Sequence, residues 1–250
     1  MNAKILLING SPRTKNNSSY LLEKAKEGAL SVSDTEIKVF EFCGKEFAGC
    51  KGNCAAYCMK NGTCSIKDDM QEFMKLFLWA DGVIWVCPTY HASAPAQVRA
   101  VLDRMGNTIC SYLKHRIPRF NKPTGIIVHG SSRYGGQEML VDFFLQSVTE
   151  LRCMIIAGDS PKANMAVVGY APTWEPGSIL EDTVALDASV EMGRNVALMT
   201  KIVNAGIKKI GPELTERFFP DQMFETRRNT DMEIDMAWQK KESFYVKKEV

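Results

Sequence analysis

Eight cysteines are spread unevenly along this 250-residue chain. Five of them, Cys43, Cys50, Cys54, Cys58 and Cys64, fall within 22 residues, with Gly52 and Gly62 able to bend the segment. Thiols packed so closely in a chain this long point to metal or redox chemistry more than to disulfides. A second chemical grouping opens the chain. In KILLINGSPRTKNNSSYLL an apolar run stops at Gly10, and a dense patch of Ser, Asn, Arg and Lys follows. A helix beginning near Asn17 or Ser18 would aim its free amides and the positive end of its dipole at one point. The hydroxyls of Ser11, Ser18 and Ser19 add donors, and Arg13 adds fixed positive charge. Such a loop suits a phosphate. The competing reading is an ordinary polar βα loop in which Ser18 caps the helix. The loop has neither the three-glycine dinucleotide fingerprint nor the GK[ST] ending of a triphosphate loop.

Two further loops bear on that choice. In CPTYHASAPAQVRAVLDR, Pro88 and Pro95 bracket a stretch that cannot become helical until after Pro95, which suits the first helical position. Thr89, Tyr90 and His91 would then sit at the carboxyl end of a strand. HGSSRYGGQEM (129–139) carries Gly135 and Gly136, which allow a backbone to approach a flat ligand closely. One phosphate at the first loop and a planar ring between the other two match a mononucleotide, flavin mononucleotide (FMN) foremost. Tyr90 would lie against the ring or pack as a strand-end aromatic. His91 would donate to the ring or rest on the rim.

The elements that must hold these loops are legible in the apolar pattern. KILLIN (4–9), EIKVFEF (36–42), GVIWVC (82–87), TGIIVHG (124–130) and CMIIAG (153–158) read as strands, mostly apolar throughout, as in a parallel sheet covered on both faces. Helical spacing fills 18–30, 68–80, 95–107, 137–151 and 181–206. Strict alternation predicts right-handed βαβ units and a three-layer, doubly wound α/β domain with sheet order 2-1-3-4-5. Strands 1 and 3 would flank the switch point, where ligands bind. The domain is expected to cover 1–206. Within it, 43–67 forms a cysteine-rich insertion after strand 2, and 207–250 forms a charged, aromatic-bearing extension packed on the domain or on a neighbouring subunit. Residues 162–178 would form a lid or a surface loop. Asp68 and Asp69 are expected to cap the helix that follows them.

The three loops together resemble those of the NADPH-dependent FMN reductase family, over roughly residues 1–200. GSPR followed by NNSS is similar to its phosphate loop, PTYHASAPAQVRAVLDR to its second flavin loop, and GSSRYGGQE to its third. The resemblance implies a flavodoxin-like fold. It implies phosphate contacts from Ser11, Arg13, Asn17, Ser18 and Ser19. Ring contacts would come from Pro88, Thr89, Tyr90, His91, Ser131, Ser132, Tyr134, Gly135, Gly136 and Gln137. The cysteine segment resembles that of the iron–sulfur flavoprotein branch, where a compact motif precedes an acidic pair. That branch usually places two residues between its first three cysteines. This chain places three, a period that would set three thiols on one helical face. The resemblance implies a [4Fe–4S] cluster on Cys50, Cys54, Cys58 and Cys64. Tetrahedral zinc on the same thiolates and unligated thiols are the alternatives. Cys43 is a substitute ligand, while Cys87, Cys110 and Cys153 read as small core residues.

The resemblance further implies electron transfer from NAD(P)H or a ferredoxin through FMN to an acceptor, in a homodimer or homotetramer. A reductase of quinones, nitroaromatics or one dedicated substrate, lacking a cluster, is the nearest alternative. A redox sensor that binds without turnover is the alternative of another class. Composition narrows the field. The 31 basic residues nearly balance the 29 acidic ones, which argues against a nucleic-acid partner. No apolar run reaches the ~20 residues of a membrane span, and the N-terminus lacks a signal-peptide layout. A cytoplasmic location is expected.

Overall fold

The computed structural model describes residues 2–52, 57, 64–105, 122–151, 153–159 and 161–217. Strands β1 (Ala3–Asn9), β2 (Thr35–Glu41), β3 (Gly82–Pro88), β4 (Pro123–Gly130) and β5 (Met154–Ile155) form a parallel sheet in the order β2-β1-β3-β4-β5, and a further strand, β6 (Val167–Tyr170), also pairs with β4. The helices are α1 (Asn17–Leu30), α2 (Met70–Trp79), α3 (Ala96–Met105), α4 (Gln137–Glu150) and α5 (Thr183–Arg217). The order is that of a flavodoxin-like doubly wound sheet.

The expected single strand at 153–158 is instead two pieces. β5 pairs only with Pro123 and Thr124, at the start of β4. β6 pairs with Ile127 through Gly130, at its end. The second half of the fifth position therefore comes from VVGY, inside the segment read as a lid or loop. Four residues of mixed burial carry too short a pattern to be told from a loop.

Side-chain alternation divides the core in two. Leu6 and Ile8 face a cluster with Phe73 and Phe77 of α2, Val98 and Val101 of α3, and Leu140 and Phe144 of α4. Ile5 and Leu7 face the other cluster, with Leu21, Leu22 and Ala25 of α1 and Ala188, Met192 and Val196 of α5. Helices therefore cover both faces, which is why β1, β3 and β4 are almost wholly buried. β2 is the edge and keeps an exposed face.

Helices α1 and α5 touch backbone to backbone. A Cβ on Gly28 would stand 1.8 Å from the Val190 carbonyl oxygen, and one on Gly193 would stand 1.9 Å from that of Ala25. The two glycines make the crossing possible. α5 runs without interruption through position 206, where the domain was expected to end. Among the described residues no helix is long and apolar enough to cross a membrane.

Candidate functional site

The first loop is set by asparagines. Asn9, fully buried at the end of β1, accepts the Ser11 amide through its side-chain oxygen at 3.1 Å and donates to the Ser19 hydroxyl at 3.1 Å. Asn16, not Ser18, caps α1: its Oδ1 accepts the Ser19 amide at 2.9 Å. Asn is as strong a cap as Ser, so Asn16, just before the helix, carried the signal. The helix begins at Asn17, as its spacing suggests, and its first-turn amides face the loop.

The side chains of this loop are largely engaged by the protein itself. Asn17 donates to the carbonyls of Glu175 (3.1 Å) and Thr173 (3.5 Å) and accepts the amides of Gly177 (2.9 Å) and Ile179 (3.3 Å). One amide group thus fastens the 173–179 turn over the start of α1. Arg13 donates to the Trp174 carbonyl at 2.9 Å and leaves its guanidinium exposed. Ser11 is buried and accepts the Arg13 amide. Ser18 shares a 2.8 Å hydrogen bond with His129 Nε2.

His129 was not singled out in the sequence, yet it joins three segments. Its ring meets Ser18 at the start of α1, and its carbonyl accepts the Thr89 amide at 2.7 Å. Its backbone also pairs with Gly169 of β6. Burial pushes its pKa down to about 4, so the ring is neutral.

The second loop is strained. Tyr90 and Ser93 exchange backbone hydrogen bonds of 2.8 and 3.0 Å, closing a tight turn with His91 (φ 49°) and Ala92 (φ 59°) at its centre. Two positive φ values in succession are normally left to Asn and Gly. Strain of this kind gathers at ligand sites. Tyr90 and His91 are exposed. The hydroxyl oxygen of Thr89 is buried and has no hydrogen-bond partner. Pro88 closes β3, and α3 starts at Ala96, one residue later than expected, with Pro95 just before it supplying a carbonyl to the Arg99 amide.

The third loop docks on the second. Gly136 has φ 87°, and a Cβ there would stand 2.6 Å from Ala92. Gln137 is buried and staples its own loop, accepting the Gly135 amide at 2.9 Å and donating to the Ser132 carbonyl. Ser131, Ser132 and Tyr134 are exposed, Tyr134 to 94%. The three loops therefore converge on one rim, at the switch point between β1 and β3. The buried Thr89 hydroxyl and the first-turn amides of α1 give that rim groups suited to a ligand with an anionic end.

The cysteine segment leaves the same rim, since Phe42 directly follows β2 and donates to the Asn9 carbonyl. Cys50 is exposed, and Cys43 and Cys64 are half-buried. Cys54, Cys58 and Cys110 lie outside the described residues. Cys87 is buried in the core and Cys153 is half-buried. Among the described residues no three His, Cys, Asp or Glu side chains form a group that could hold a metal.

The acidic pair does more than cap a helix. Asp68 accepts the Met70 amide at 3.2 Å, the capping contact, but it also accepts the Ala48 amide at 2.9 Å and forms a two-pronged pair with Arg104 at 2.6 and 2.9 Å. Burial pushes the Asp68 carboxyl up, but Arg104 and the two amides outweigh it and hold the carboxyl below its ordinary range. Asp69 makes no side-chain cap and instead accepts the Glu46 amide at 2.8 Å.

Comparison with known proteins agrees with this geometry. The family model described as NADPH-dependent FMN reductase matches residues 3–166. An iron–sulfur flavoprotein of Methanocaldococcus jannaschii is 30% identical over 205 residues, covering 80% of this chain and 98% of that protein. One from Methanosarcina thermophila is 32% identical over 202 residues, covering 80% and 96%. RosB, solved with 8-demethyl-8-formylriboflavin-5'-phosphate, superposes with a TM-score of 0.60 at 15% identity, covering 81% of each chain. An NAD(P)H:quinone oxidoreductase from Methanothermobacter marburgensis gives 0.57 at 13% identity, covering 78% of this chain and 98% of that one. The chain belongs to the NADPH-dependent FMN reductase family, in its iron–sulfur flavoprotein branch, and is a flavin-dependent oxidoreductase.

Proposed function

We propose that this chain binds FMN at the three-loop rim, carries a [4Fe–4S] cluster on Cys50, Cys54, Cys58 and Cys64, and passes electrons from NAD(P)H or a ferredoxin to an acceptor. The observation that carries the flavin assignment is the buried, unpartnered Thr89 hydroxyl beside two interlocked loops. A buried polar atom without a partner costs about 1–3 kcal/mol, a cost a ligand would remove. For the cluster, the described half of the donor set fits in chemistry: Cys50 and Cys64 are thiols outside any disulfide, on the segment that leaves the rim after β2. The names of the relatives support it as well.

The protein's part is to bind and orient. The first-turn amides of α1 and the Ser11 side of the loop would hold the phosphate, with Arg13 adding charge from outside. The Asn17 amide and the Ser18 hydroxyl act indirectly, by fixing the 173–179 turn and His129. Pro88, Thr89, Tyr90 and His91 would bound one side of the ring, and Ser131, Ser132, Tyr134, Gly135, Gly136 and Gln137 the other. FMN, when bound, supplies hydride or one-electron chemistry, and a cluster supplies single electrons. A neutral His129 beneath the phosphate loop keeps the charge there independent of pH near neutrality. We place the enzyme in the cytoplasm, as a homo-oligomer.

Anaerobic purification followed by absorption, iron and sulfide analysis tests this reading. Flavin bands with a broad shoulder near 400 nm, and four irons per chain, are expected for a [4Fe–4S] flavoprotein. Flavin without iron refutes the cluster and leaves a simple reductase. Failure to bind added FMN refutes the site. Bleaching by NADPH with reoxidation by a quinone separates turnover from sensing.

A further inference from the structure

One buried cation holds both ends of the cysteine segment. Arg104 is 2% exposed, and its Nη1 donates to the Ala48 carbonyl at 3.0 Å while both terminal nitrogens grip Asp68. Ala48 stands two residues before Cys50, and Asp68 four residues after Cys64. Further bonds close the same neck: Asp69 takes the Glu46 amide, its own amide donates to the Glu46 carbonyl at 3.2 Å, and Lys45 pairs with Asp69. Gln71 donates to the Ile66 carbonyl at 2.6 Å and reaches that of Cys64 at 3.5 Å. Residues 45–48 and 64–69 are thus zipped together before any metal is considered.

Burial alone would make the Arg104 guanidinium less basic, but its two-pronged pairing with Asp68 compensates and keeps it charged. The rigid fork of Arg suits the Ala48 carbonyl and the Asp68 carboxylate at once in a way a Lys ammonium does not.

We propose that Arg104 is the positioning residue of the cysteine site, clasping Ala48 to Asp68 and so holding together the two ends of the segment that carries Cys50 and Cys64. This rests on the cluster reading above. Groups that hold a metal ligand without touching the metal change metal affinity about 10–100-fold when removed. They do so without being ligands, so the effect should fall on metal retention rather than on flavin content.

The experiment compares the anaerobic holoprotein with Arg104→Met combined with Asp68→Asn, and with Arg104→Lys alone. Removing Arg104 by itself would strand a buried carboxylate. The double change strands no charge and keeps an amide oxygen for one of the Ala48 and Met70 amides, which Asp68 meets with separate oxygens. Expected in the double variant are unchanged FMN per chain and release of iron to a chelator about tenfold faster or more. Arg104→Lys, which keeps the cation but not the fork, should fall between, and it decides the matter should the double variant fail to fold. Iron release at the natural rate in folded variants overturns the proposal. Loss of FMN in parallel with iron also overturns it, because the residue would then be supporting the whole domain. Natural protein without iron and sulfide overturns the cluster reading itself, and this proposal with it.

Discussion

His129 makes the stability of this protein respond to acid in a way that can be calculated. Its ring is buried and neutral in the fold, with a pKa of about 4, and an unfolded chain returns it to the ordinary 6.5. Between those values the unfolded state holds more protons than the folded one. Stability from this group is therefore complete above pH 6.5 and is lost as the pH falls through the folded value. The loss amounts to about 2 kcal/mol on going from about pH 7.5 to about pH 5, and about 3 kcal/mol well below pH 4. Other carboxylates and histidines titrate in the same range, so the natural protein alone is not diagnostic. His129→Gln removes the titration while leaving a polar side chain for Ser18. Urea unfolding should be run on both proteins at the two pH values, with FMN stripped so that its phosphate does not titrate. The natural protein should lose about 2 kcal/mol more than the variant over the interval. Equal losses would mean that the imidazole is protonated or solvated in the fold, and the neutral link between the first loop, the second loop and β6 would fail with it.

Three further substitutions probe the rim and its support. Thr89→Val removes the unpartnered hydroxyl; flavin-free protein should gain about 1 kcal/mol while FMN affinity, followed by flavin fluorescence, falls about tenfold. Gly136→Ala meets both a positive φ and the Ala92 contact at 2.6 Å; calorimetry should show a loss of about 2 kcal/mol, and FMN affinity should fall because the second and third loops separate. Gly193→Ala drives a methyl into the Ala25 carbonyl; the cost should reach about 3 kcal/mol by urea unfolding, with the far-UV spectrum retained at low temperature.

The sheet order and both helical layers were legible because β1, β3 and β4 are apolar throughout and the helices between them keep a clear 3.6-residue period. β6 was not, because its four residues were half-buried and lay in a Gly- and Pro-rich stretch. The rim itself was legible as three loops, since Ser, Asn, Gly and Pro mark turns directly. Its internal wiring was not. Asn17, Ser18 and Gln137 are polar residues of the type that meets ligands, yet each is consumed by long-range or local bonds to the protein that no spacing rule reveals. His129 was hidden for the opposite reason: one histidine in a buried strand has no sequence signal until its partner, 111 residues away, is seen to face it. Asp68 was read through its local role as a cap, and its pairing with Arg104 across 36 residues redefines it.

Helix α3 ties the two halves of the rim together. Val98 lies where a Cβ on Gly10 would stand 3.1 Å away, at the turn of the first loop. Arg104, six residues on, holds the neck of the cysteine segment. At 1.5 Å per residue these points are about 9 Å apart along the helix. Residues 89–95, the strained second loop, lead straight into the same helix. A displacement of α3 cannot be confined to one partner: moving it toward the cysteine segment draws Val98 from Gly10 and pulls on the turn that carries His91 and Ala92. The fold thus gives the three-loop rim and the neck of the cysteine segment one shared support. In the flavin and cluster reading proposed above, electron transfer between the two centres would need that support to keep their separation fixed, which a loop hung from β2 alone would not supply.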